Sequence, residues 1–168
     1  MKRRSTGFTR RLGRRLVAFL VSGRGAPLVR ELVSALSLNT YRVYGDPSRL
    51  TIAEGVSTMN TLFNTISGTI EVGPYVSFGH NVSVLTGSHD YQMLGAERAI
   101  SVPGTGHDIT IDGGAWIASN AMVLGPCRIG AHAVIAAGAL VRNDVPEYAI
   151  VAGVPAKVVG YATGERPA

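Results

Sequence analysis

The sequence predicts an all-β solenoid, a coil of short parallel strands, and three observations indicate it. Large apolar residues recur at every sixth position from residue 111 to residue 141. The positions two before them carry small or apolar residues throughout. The same spacing appears upstream, between residues 70 and 84. A period of six fits neither a helix nor a simple strand, so each hexad is expected to supply one short strand and a turn.

The two sets of repeat positions define the expected core. The large positions are Val72, Phe78, Val84, Ile111, Ile117, Val123, Ile129, Ile135 and Val141. The positions two before them are Ile70, Val76, Val82, Ile109, Ala115, Ala121, Cys127, Ala133 and Ala139. Three hexads would complete one triangular coil, so Ile111 is expected beneath Ile129, and Ile117 beneath Ile135. Each buried large aliphatic side chain contributes roughly 1.5–3 kcal/mol to stability.

Composition and charge divide the chain into segments. Its 168 residues suffice for one domain, and its 21 glycines suit repeated corners. The single cysteine, Cys127, excludes a disulfide framework within the chain and favours a reducing compartment. Residues 1–42 carry a net charge of +9, whereas the rest carries −4. We therefore expect a basic helical arm at 1–45, a solenoid at 46–160 and a flexible tail at 161–168.

The arm is predicted to contain two helices. The first covers residues 8–21, and the second begins near Pro27. The apolar run of the first is too short to span a bilayer, and no signal-peptide cleavage site follows it. Residues 1–24 could bind the anionic inner face of the cytoplasmic membrane, or the arm could cap the first coil. A cytoplasmic location is expected, and nucleic-acid binding is not, because aromatic residues do not alternate with the basic ones.

The six-residue pattern lapses between Val84 and Ile109, which predicts a loop excursion near 86–108. A solenoid accommodates insertions as loops that leave a corner, and loops on a rigid scaffold often carry functional sites. The chemically versatile residues of this stretch are His89, Asp90, Tyr91, Glu97, Arg98 and His107. The excursion is therefore the first place to look for a catalytic group.

Five stretches of the chain resemble the hexapeptide-repeat acyltransferases of the maltose/galactoside O-acetyltransferase type, closest to the polysaccharide-biosynthesis branch. They are Leu85–Tyr91, Ile111–Asn120, Gly125–Gly130, Ala136–Pro146 and Ala152–Lys157. The resemblance implies a left-handed parallel β-helix and a homotrimer with sites between neighbouring solenoids. It also implies acetyl transfer from acetyl-CoA to a hydroxyl of a sugar, glycan or glycolipid precursor, without a metal.

The resemblance also assigns residues to this reaction. His89 matches the family's general base, and an imidazole can take the hydroxyl proton as the oxygen attacks the thioester. Asp90 could orient that ring or point away from it. The positions that match donor-binding residues are Trp116, Ser119, Ala137, Arg142, Asn143 and Lys157. The candidate acceptor-binding residues are Asn60, Asn64, His80, Asn81 and Arg98.

Three alternatives remain open from the sequence. The acceptor could be the amine of an amino sugar or another small molecule rather than a hydroxyl. A γ-type carbonic anhydrase has the same solenoid but needs three zinc-binding histidines, and the close-spaced pair expected there is absent among the four of this chain. A non-catalytic scaffold would use the solenoid without donor binding.

Overall fold

The computed structural model describes residues 18–19, 22, 25–36 and 40–163, and the chain divides into two compact units, residues 1–37 and 38–168. The first unit contains helix α1, Ala26–Leu36, which begins as predicted with a proline in its first turn. Three apolar side chains of α1 are about half exposed: Leu28 at 47%, Leu32 at 51% and Val33 at 62%. The helix predicted for residues 8–21 lies almost entirely outside the described residues.

Within residues 40–163 the chain forms fourteen short strands, a 3-10 helix at Pro47–Arg49 and a short helix α2 at Gly95–Ile100. The strands are β1 Arg42–Tyr44, β2 Leu50–Ile52, β3 Leu62–Asn64, β4 Ile70–Val72, β5 Ser77–Phe78, β6 Ser83–Leu85, β7 Ile109–Ile111, β8 Trp116–Ile117, β9 Met122–Leu124, β10 Cys127–Ile129, β11 Val134–Ile135, β12 Leu140–Val141, β13 Ala149–Gly153 and β14 Ala156–Tyr161. The solenoid therefore begins four residues earlier than predicted.

The strands of residues 40–163 form three sheets, and successive strands up to β13 pass from one sheet to another. Sheet A has the order β1-β3-β6-β9-β12, sheet B the order β10-β7-β4-β2, and sheet C the order β14-β13-β11-β8-β5. Every strand pairing is parallel except that between β13 and β14. The predicted parallel β-helix is confirmed, and its left-handedness stays a prediction from the resemblance.

The predicted register and core are also confirmed. Ile129 pairs with Ile111, and Ile135 pairs with Ile117, eighteen residues apart. All the repeat positions, large and small, are at most 7% exposed. Phe63, which precedes the first predicted hexad, is fully buried and packs edge-on against Phe78 with 5.5 Å between ring centroids. The core thus extends one coil further upstream than the hexad pattern indicates.

The excursion leaves the solenoid after β6 and returns at β7 without disturbing the strand ladder. Strand β6 pairs with β9 and β4 pairs with β7, so the coils on both sides of the insertion remain in register. The far part of the loop is held by Arg49, whose Nη1 donates to the carbonyl oxygens of Gly104 at 2.9 Å and Ile66 at 3.2 Å. A long insertion is thus fixed to one corner of the prism.

Overpacking one small core position should destabilise the coil. Ala133 is fully buried, so Ala133→Leu is expected to lower the free energy of unfolding by about 1–3 kcal/mol. Urea denaturation followed by circular dichroism measures the change, and Ala96→Leu, on the exposed surface of α2, serves as the control. Equal denaturation midpoints for both variants and the parent would contradict the proposed packing.

Candidate active site

The His89 imidazole is oriented by a main-chain carbonyl. Its Nδ1 lies 2.8 Å from the carbonyl oxygen of Arg98, nine residues further along the excursion. A carbonyl oxygen only accepts hydrogen bonds, so Nδ1 carries the proton and donates it. In the neutral ring the other nitrogen, Nε2, then has a free lone pair. The ring itself is exposed, so this nitrogen is available to act as a base.

The guanidinium of Arg98 holds the same loop closed. Its Nε donates to the carbonyl oxygen of Met93 at 2.7 Å, and its Nη2 donates to that of Tyr91 at 3.1 Å. The Arg98 side chain, a candidate acceptor-binding group from the sequence, is engaged inside the loop in this conformation. Arg98 serves His89 twice, through its own carbonyl and through the turn that its side chain stabilises.

Asp90 does not orient the imidazole. Its Oδ1 accepts a hydrogen bond from the Gln92 N–H at 2.9 Å, and its own N–H donates to the Ser101 carbonyl at 3.1 Å. A carboxylate bonded to the N–H two residues later forms a local turn. The predicted interaction of Asp90 with His89 is thus replaced by two contacts that shape the loop.

The base of the loop is fastened to the coil below it. Both the N–H and the hydroxyl of Thr86 donate to the Asn64 carbonyl, at 3.0 and 2.8 Å. The Thr86 hydroxyl also accepts from the Ser67 N–H at 3.1 Å. Gly87 packs so closely on Asn64 that an added Cβ would lie 2.7 Å from the amide group. The Asn64 side chain and the His89 loop are therefore held side by side.

A cavity of about 440 Å³ lies beside His89. Its lining consists of Tyr44, Asn64, Ile66, Gly87, Ser88, His89, Ala99 and Val102. Of the five predicted acceptor residues, only Asn64 is among these lining residues. Its Oδ1 accepts from the Ile66 N–H at 3.0 Å, whereas its amide nitrogen has no partner among the residues that the structure describes. That nitrogen is a free hydrogen-bond donor next to the imidazole.

Two further cavities continue along the same edge of the prism. One of about 320 Å³ is lined by Ser88, Tyr91, His107 and Arg142, among others. The next, of about 200 Å³, includes Arg142, Asn143 and Lys157. Ser88 borders the first and second cavities and Arg142 borders the second and third, so the three form a series. Three of the predicted donor-binding residues, Arg142, Asn143 and Lys157, thus lie further along the prism edge that bears His89.

The other three predicted donor residues lie on a different edge. Trp116, Ser119 and Ala137 line a largely apolar cavity of about 420 Å³ at the end of the sheet C strands β8 and β11. The indole of Trp116 is 53% exposed there. The six residues therefore form two groups of three, and His89 shares an edge with only one group.

The remaining predicted acceptor residues are separated from His89. Asn60 and Asn81 bind each other, with the Asn60 amide donating to Asn81 Oδ1 at 2.7 Å and the Asn81 N–H donating to Asn60 Oδ1 at 2.7 Å. Asn81 has a φ of 58°, a turn conformation that asparagine tolerates well. The His80 N–H donates to Ser119 Oγ at 3.1 Å. These three residues stabilise corners, and His80 lies by the Trp116 cavity instead.

Sequence reasoning missed Tyr44, Ile66 and Val102, which line the His89 cavity. Tyr44 pairs with Asn64, and Asn64 pairs with Leu85, in consecutive strands of sheet A. Extending the coil register upstream would have found Tyr44, but these coils span 20 and 21 residues rather than 18. The longer coils interrupt the six-residue pattern that indicated the rest of the core.

Cys127 is not a candidate nucleophile. Its burial, with a smaller effect of the Asp144 charge, raises the pKa of the thiol to about 12. Within the described ranges we find no cluster of three or more side chains suited to hold a metal ion. Nor does any helix in the described part of the chain have the length and apolar character needed to cross a membrane.

Comparison with known proteins places this site in context. Residues 108–143 match the pattern described as bacterial transferase hexapeptide (six repeats). Serine acetyltransferase 4 of Arabidopsis thaliana is 33% identical over 103 residues, which cover 58% of this chain and 26% of that protein. A 2,3,4,5-tetrahydropyridine-2,6-dicarboxylate N-acetyltransferase of Staphylococcus aureus is 39% identical over 79 residues, covering 46% of this chain and 33% of that protein.

A solved structure shares the fold over most of the chain. The maltose O-acetyltransferase of Clostridium difficile 630 has a TM-score of 0.59 at 20% identity, covering 86% of this chain and 80% of that one. A serine acetyltransferase complexed with cysteine has a TM-score of 0.50 at 28% identity, covering 67% and 39%. The chain spans only 26% to 39% of the length of the curated relatives named serine acetyltransferase or N-acetyltransferase.

The hydrogen bond of His89 predicts an unusual tautomer. Because the Arg98 carbonyl requires a proton on Nδ1, the neutral ring should carry its proton there and not on Nε2. Nitrogen-15 chemical shifts of the labelled protein, recorded at a pH where the imidazoles are neutral, measure this directly. His80, whose ring has no such contact with the described residues, provides the reference, and a protonated Nε2 in neutral His89 would contradict the geometry.

Proposed function

We propose that this solenoid, which carries the hexapeptide repeat of bacterial transferases, is an acyltransferase that uses acetyl-CoA. In this proposal the acetyl group passes to a hydroxyl of a sugar, glycan or glycolipid precursor. The observation that carries the proposal is the His89 ring beside the 440 Å³ cavity, with Nδ1 bound to a carbonyl and Nε2 free. Relatives named as acetyltransferases support the reaction class.

The proposed reaction is a direct transfer. His89 Nε2 takes the acceptor's proton as the hydroxyl oxygen bonds to the thioester carbon, and the carbon–sulfur bond then breaks. The hydrogen bond to the Arg98 carbonyl stabilises the imidazolium that forms, because the protonated ring donates it more strongly. The imidazolium returns its proton to the departing thiolate. The free amide nitrogen of Asn64 would hold an oxygen of the acceptor.

The basic residues fit the phosphate groups of the donor. Arg142 and Lys157 line the same cavity, on the prism edge that bears His89. Their positive charges would pair with the phosphate groups of coenzyme A. The apolar cavity at Trp116 suits the pantetheine arm of the same molecule. Since Trp116 lies on another edge, a single donor could contact both groups only between two protomers.

A homotrimer would bring these two edges together, and the outer faces of the sheets favour it. Of the nine residues of sheet A that alternate with its core positions, five are aliphatic: Leu62, Leu85, Met122, Leu124 and Leu140. The other four are Arg42, Tyr44, Asn64 and Ser83. The corresponding residues of sheet B are Thr51, Glu71, Thr110 and Arg128. An aliphatic outer face is suited to burial against a neighbouring copy, whereas a charged one is suited to water.

Transfer to an amine is the second candidate. It is favoured by the relative named as an N-acetyltransferase, which matches almost half of this chain. The same base would remove the proton from the nitrogen, so only the product distinguishes the two. Mass spectrometry of products from amino sugars and their hydroxyl counterparts makes that distinction.

We further propose that residues 1–24 bring the enzyme to the cytoplasmic face of the membrane. These residues include eight Lys or Arg and no Asp or Glu, and each basic residue near an anionic surface contributes about 1 kcal/mol of binding. The alternative, in which the arm caps the first coil, predicts no lipid binding.

Removing the proposed base should abolish most transfer without loss of donor binding. His89→Gln is expected to lower kcat roughly 10²–10⁴-fold, the usual contribution of general-base catalysis, with the Kd for CoA unchanged. His132→Asn, at a corner where the ring stacks on Tyr148, is the matched control and should remain active. Full activity of His89→Gln would remove the imidazole from the mechanism.

Mixed trimers test whether each site uses two protomers. His89→Gln and Trp116→Ala subunits should each be nearly inactive alone, yet co-expression should restore roughly a quarter of the parental activity. The gain arises where an intact His89 of one subunit faces an intact Trp116 of the next. If the co-expressed subunits are no more active than the separate variants, His89 and Trp116 do not act together across a subunit interface.

Deleting residues 1–24 tests the membrane proposal. The fraction of the truncated protein that sediments with vesicles containing anionic lipid should fall sharply. Because the attraction is electrostatic, added salt should lower the sedimenting fraction of the full chain in the same way. The thermal unfolding of the solenoid should stay the same. Unchanged sedimentation of the truncated protein would reject the anchor.

A further inference from the structure

We infer that His80 of one protomer completes the His89 cavity of its neighbour and binds the acceptor there. The inference rests on the homotrimer of the proposed function and adds a residue to its acceptor site. Three observations carry it: the two histidines flank one strand, the lining of the cavity comes from one side, and the His80 ring is free.

The two histidines lie in the turns at opposite ends of the same strand. His80 belongs to the turn that leads into β6, and His89 follows the turn that leaves it. Neighbouring coils are about 4.8 Å apart, and one strand advances the chain by about a third of that spacing. The two turns therefore lie at nearly the same height along the prism, on different edges.

A threefold rotation about an axis parallel to the prism preserves this height. The aliphatic residues on the outer face of sheet A lie in four neighbouring strands, β3, β6, β9 and β12, so an interface built on them runs along the prism. Such an axis in front of sheet A places the start of β6 in one protomer beside the end of β6 in the next. His80 of one protomer then faces the turn that carries His89 of another.

The same rotation accounts for the divided group of predicted donor residues. Ser119 lies in the turn before β9, and Gly125 follows that strand. Ala137 lies in the turn before β12, and Arg142 follows that strand. Each pair meets between neighbouring protomers. A donor that contacts these pairs lies beside β9 and β12, which leaves the space beside β3 and β6 for the acceptor.

The lining of the His89 cavity comes from one side only. Tyr44 and Asn64 end strands β1 and β3 of sheet A, Ile66 follows β3, and the other lining residues belong to the excursion. Among the described residues, none from the turns that lead into the strands of sheet A lines this cavity. A neighbouring protomer would supply the missing side from those turns, where His80 lies.

The His80 side chain is free, whereas its main chain is fixed. Its N–H donates to Ser119 Oγ at 3.1 Å, and its carbonyl oxygen accepts from the Asn120 N–H at 2.9 Å. The imidazole is exposed and has no hydrogen-bond partner in the described part of the chain. The nearby amides of Asn60 and Asn81 bind each other instead. His80 is therefore the polar group of this turn that is available to a ligand.

A second imidazole suits an acceptor that carries neighbouring hydroxyl groups. One hydroxyl loses its proton to His89 Nε2, and another bonds to the His80 ring, which has one donor and one acceptor nitrogen when neutral. The free amide nitrogen of Asn64 donates to a further oxygen. A sugar ring fills all three positions, whereas a compound with a single hydroxyl gains nothing from His80.

Cysteine cross-linking of the purified full chain tests the placement. His80→Cys combined with Ser88→Cys should give a covalent trimer with a short bis-maleimide, and neither single variant should. Glu71→Cys combined with Ser88→Cys is the matched control and should give none, because Glu71 lies on the outer face of sheet B. Cys127 should not react, since burial raises the pKa of its thiol to about 12.

A second cysteine pair separates this inference from the trimer itself. Ala137→Cys combined with Asn143→Cys flanks β12 and should cross-link in the same way. Cross-linking of this pair without cross-linking of the His80 pair would overturn the inference and leave the trimer standing. Absence of both products would overturn the trimer and the inference together, whereas acetyl transfer is measured independently.

Kinetics with two probe acceptors test the role of the ring. Glucose offers neighbouring hydroxyls and cyclohexanol only one. His80→Ala should raise the KM for glucose about tenfold, as expected for one lost hydrogen bond, with kcat and the KM for acetyl-CoA unchanged. The kinetics with cyclohexanol should not change. His80→Gln, which keeps a donor and an acceptor, should recover part of the loss, and His132→Ala should behave as the parent.

The outcomes separate the role of His80 from the proposed reaction. An unchanged KM for glucose, equal effects on glucose and cyclohexanol, or no transfer to glucose by the parent would overturn the acceptor role. Failure of the proposed function has a different signature: the parent does not bind CoA, or His89→Gln retains full activity.

Discussion

The hydrogen-bonded register between successive coils is the constraint on which the structure depends. Each strand is only two to six residues long, and it is held in place by the coils above and below it. Because β4 pairs with β7 and β6 pairs with β9, the chain can leave after Leu85 and return at Ile109 without loss of alignment. The excursion therefore begins and ends at fixed points, and the Thr86 contacts with Asn64 attach its first residues to the prism.

In the proposed mechanism a main-chain carbonyl takes the place that a carboxylate occupies in many catalytic dyads. The Arg98 carbonyl fixes the His89 ring and its tautomer, and the Arg98 side chain closes the loop that presents this carbonyl. A carbonyl leaves no negative charge beside the ring, so the surroundings of the base stay neutral. The other polar side chains that line the cavity, those of Tyr44, Asn64 and Ser88, are likewise uncharged.

Much of the fold could be predicted from the sequence because the solenoid repeats the same unit, a short strand and a turn, every six residues. The hexad pattern identified both sets of core positions and the eighteen-residue register of the later coils. It failed upstream, where coils of 20 and 21 residues hide the equivalence of Tyr44, Asn64 and Leu85. Residue type alone does not reveal such changes in coil length, which become evident only from the strand pairing.

The candidate site could be predicted less completely, for reasons that differ between residues. The position of His89 in the excursion singled it out, and Asn64 beside it was expected. The roles of Asp90 and Arg98 depended on which of several local hydrogen bonds formed, and spacing does not decide that. The separation of Trp116 from Arg142 was implicit in the repeat, because Trp116 lies in β8 of sheet C whereas Arg142 follows β12 of sheet A.

The central claim is that His89 of one protomer and the Trp116 cavity of another form a single donor site. A crystal structure of the assembled protein with CoA bound tests it most directly. The account predicts the CoA sulfur beside His89 Nε2, the phosphates near Arg142 and Lys157, and the pantetheine arm against Trp116 of a neighbouring copy. CoA bound wholly within one protomer, with its sulfur away from His89, would contradict the account.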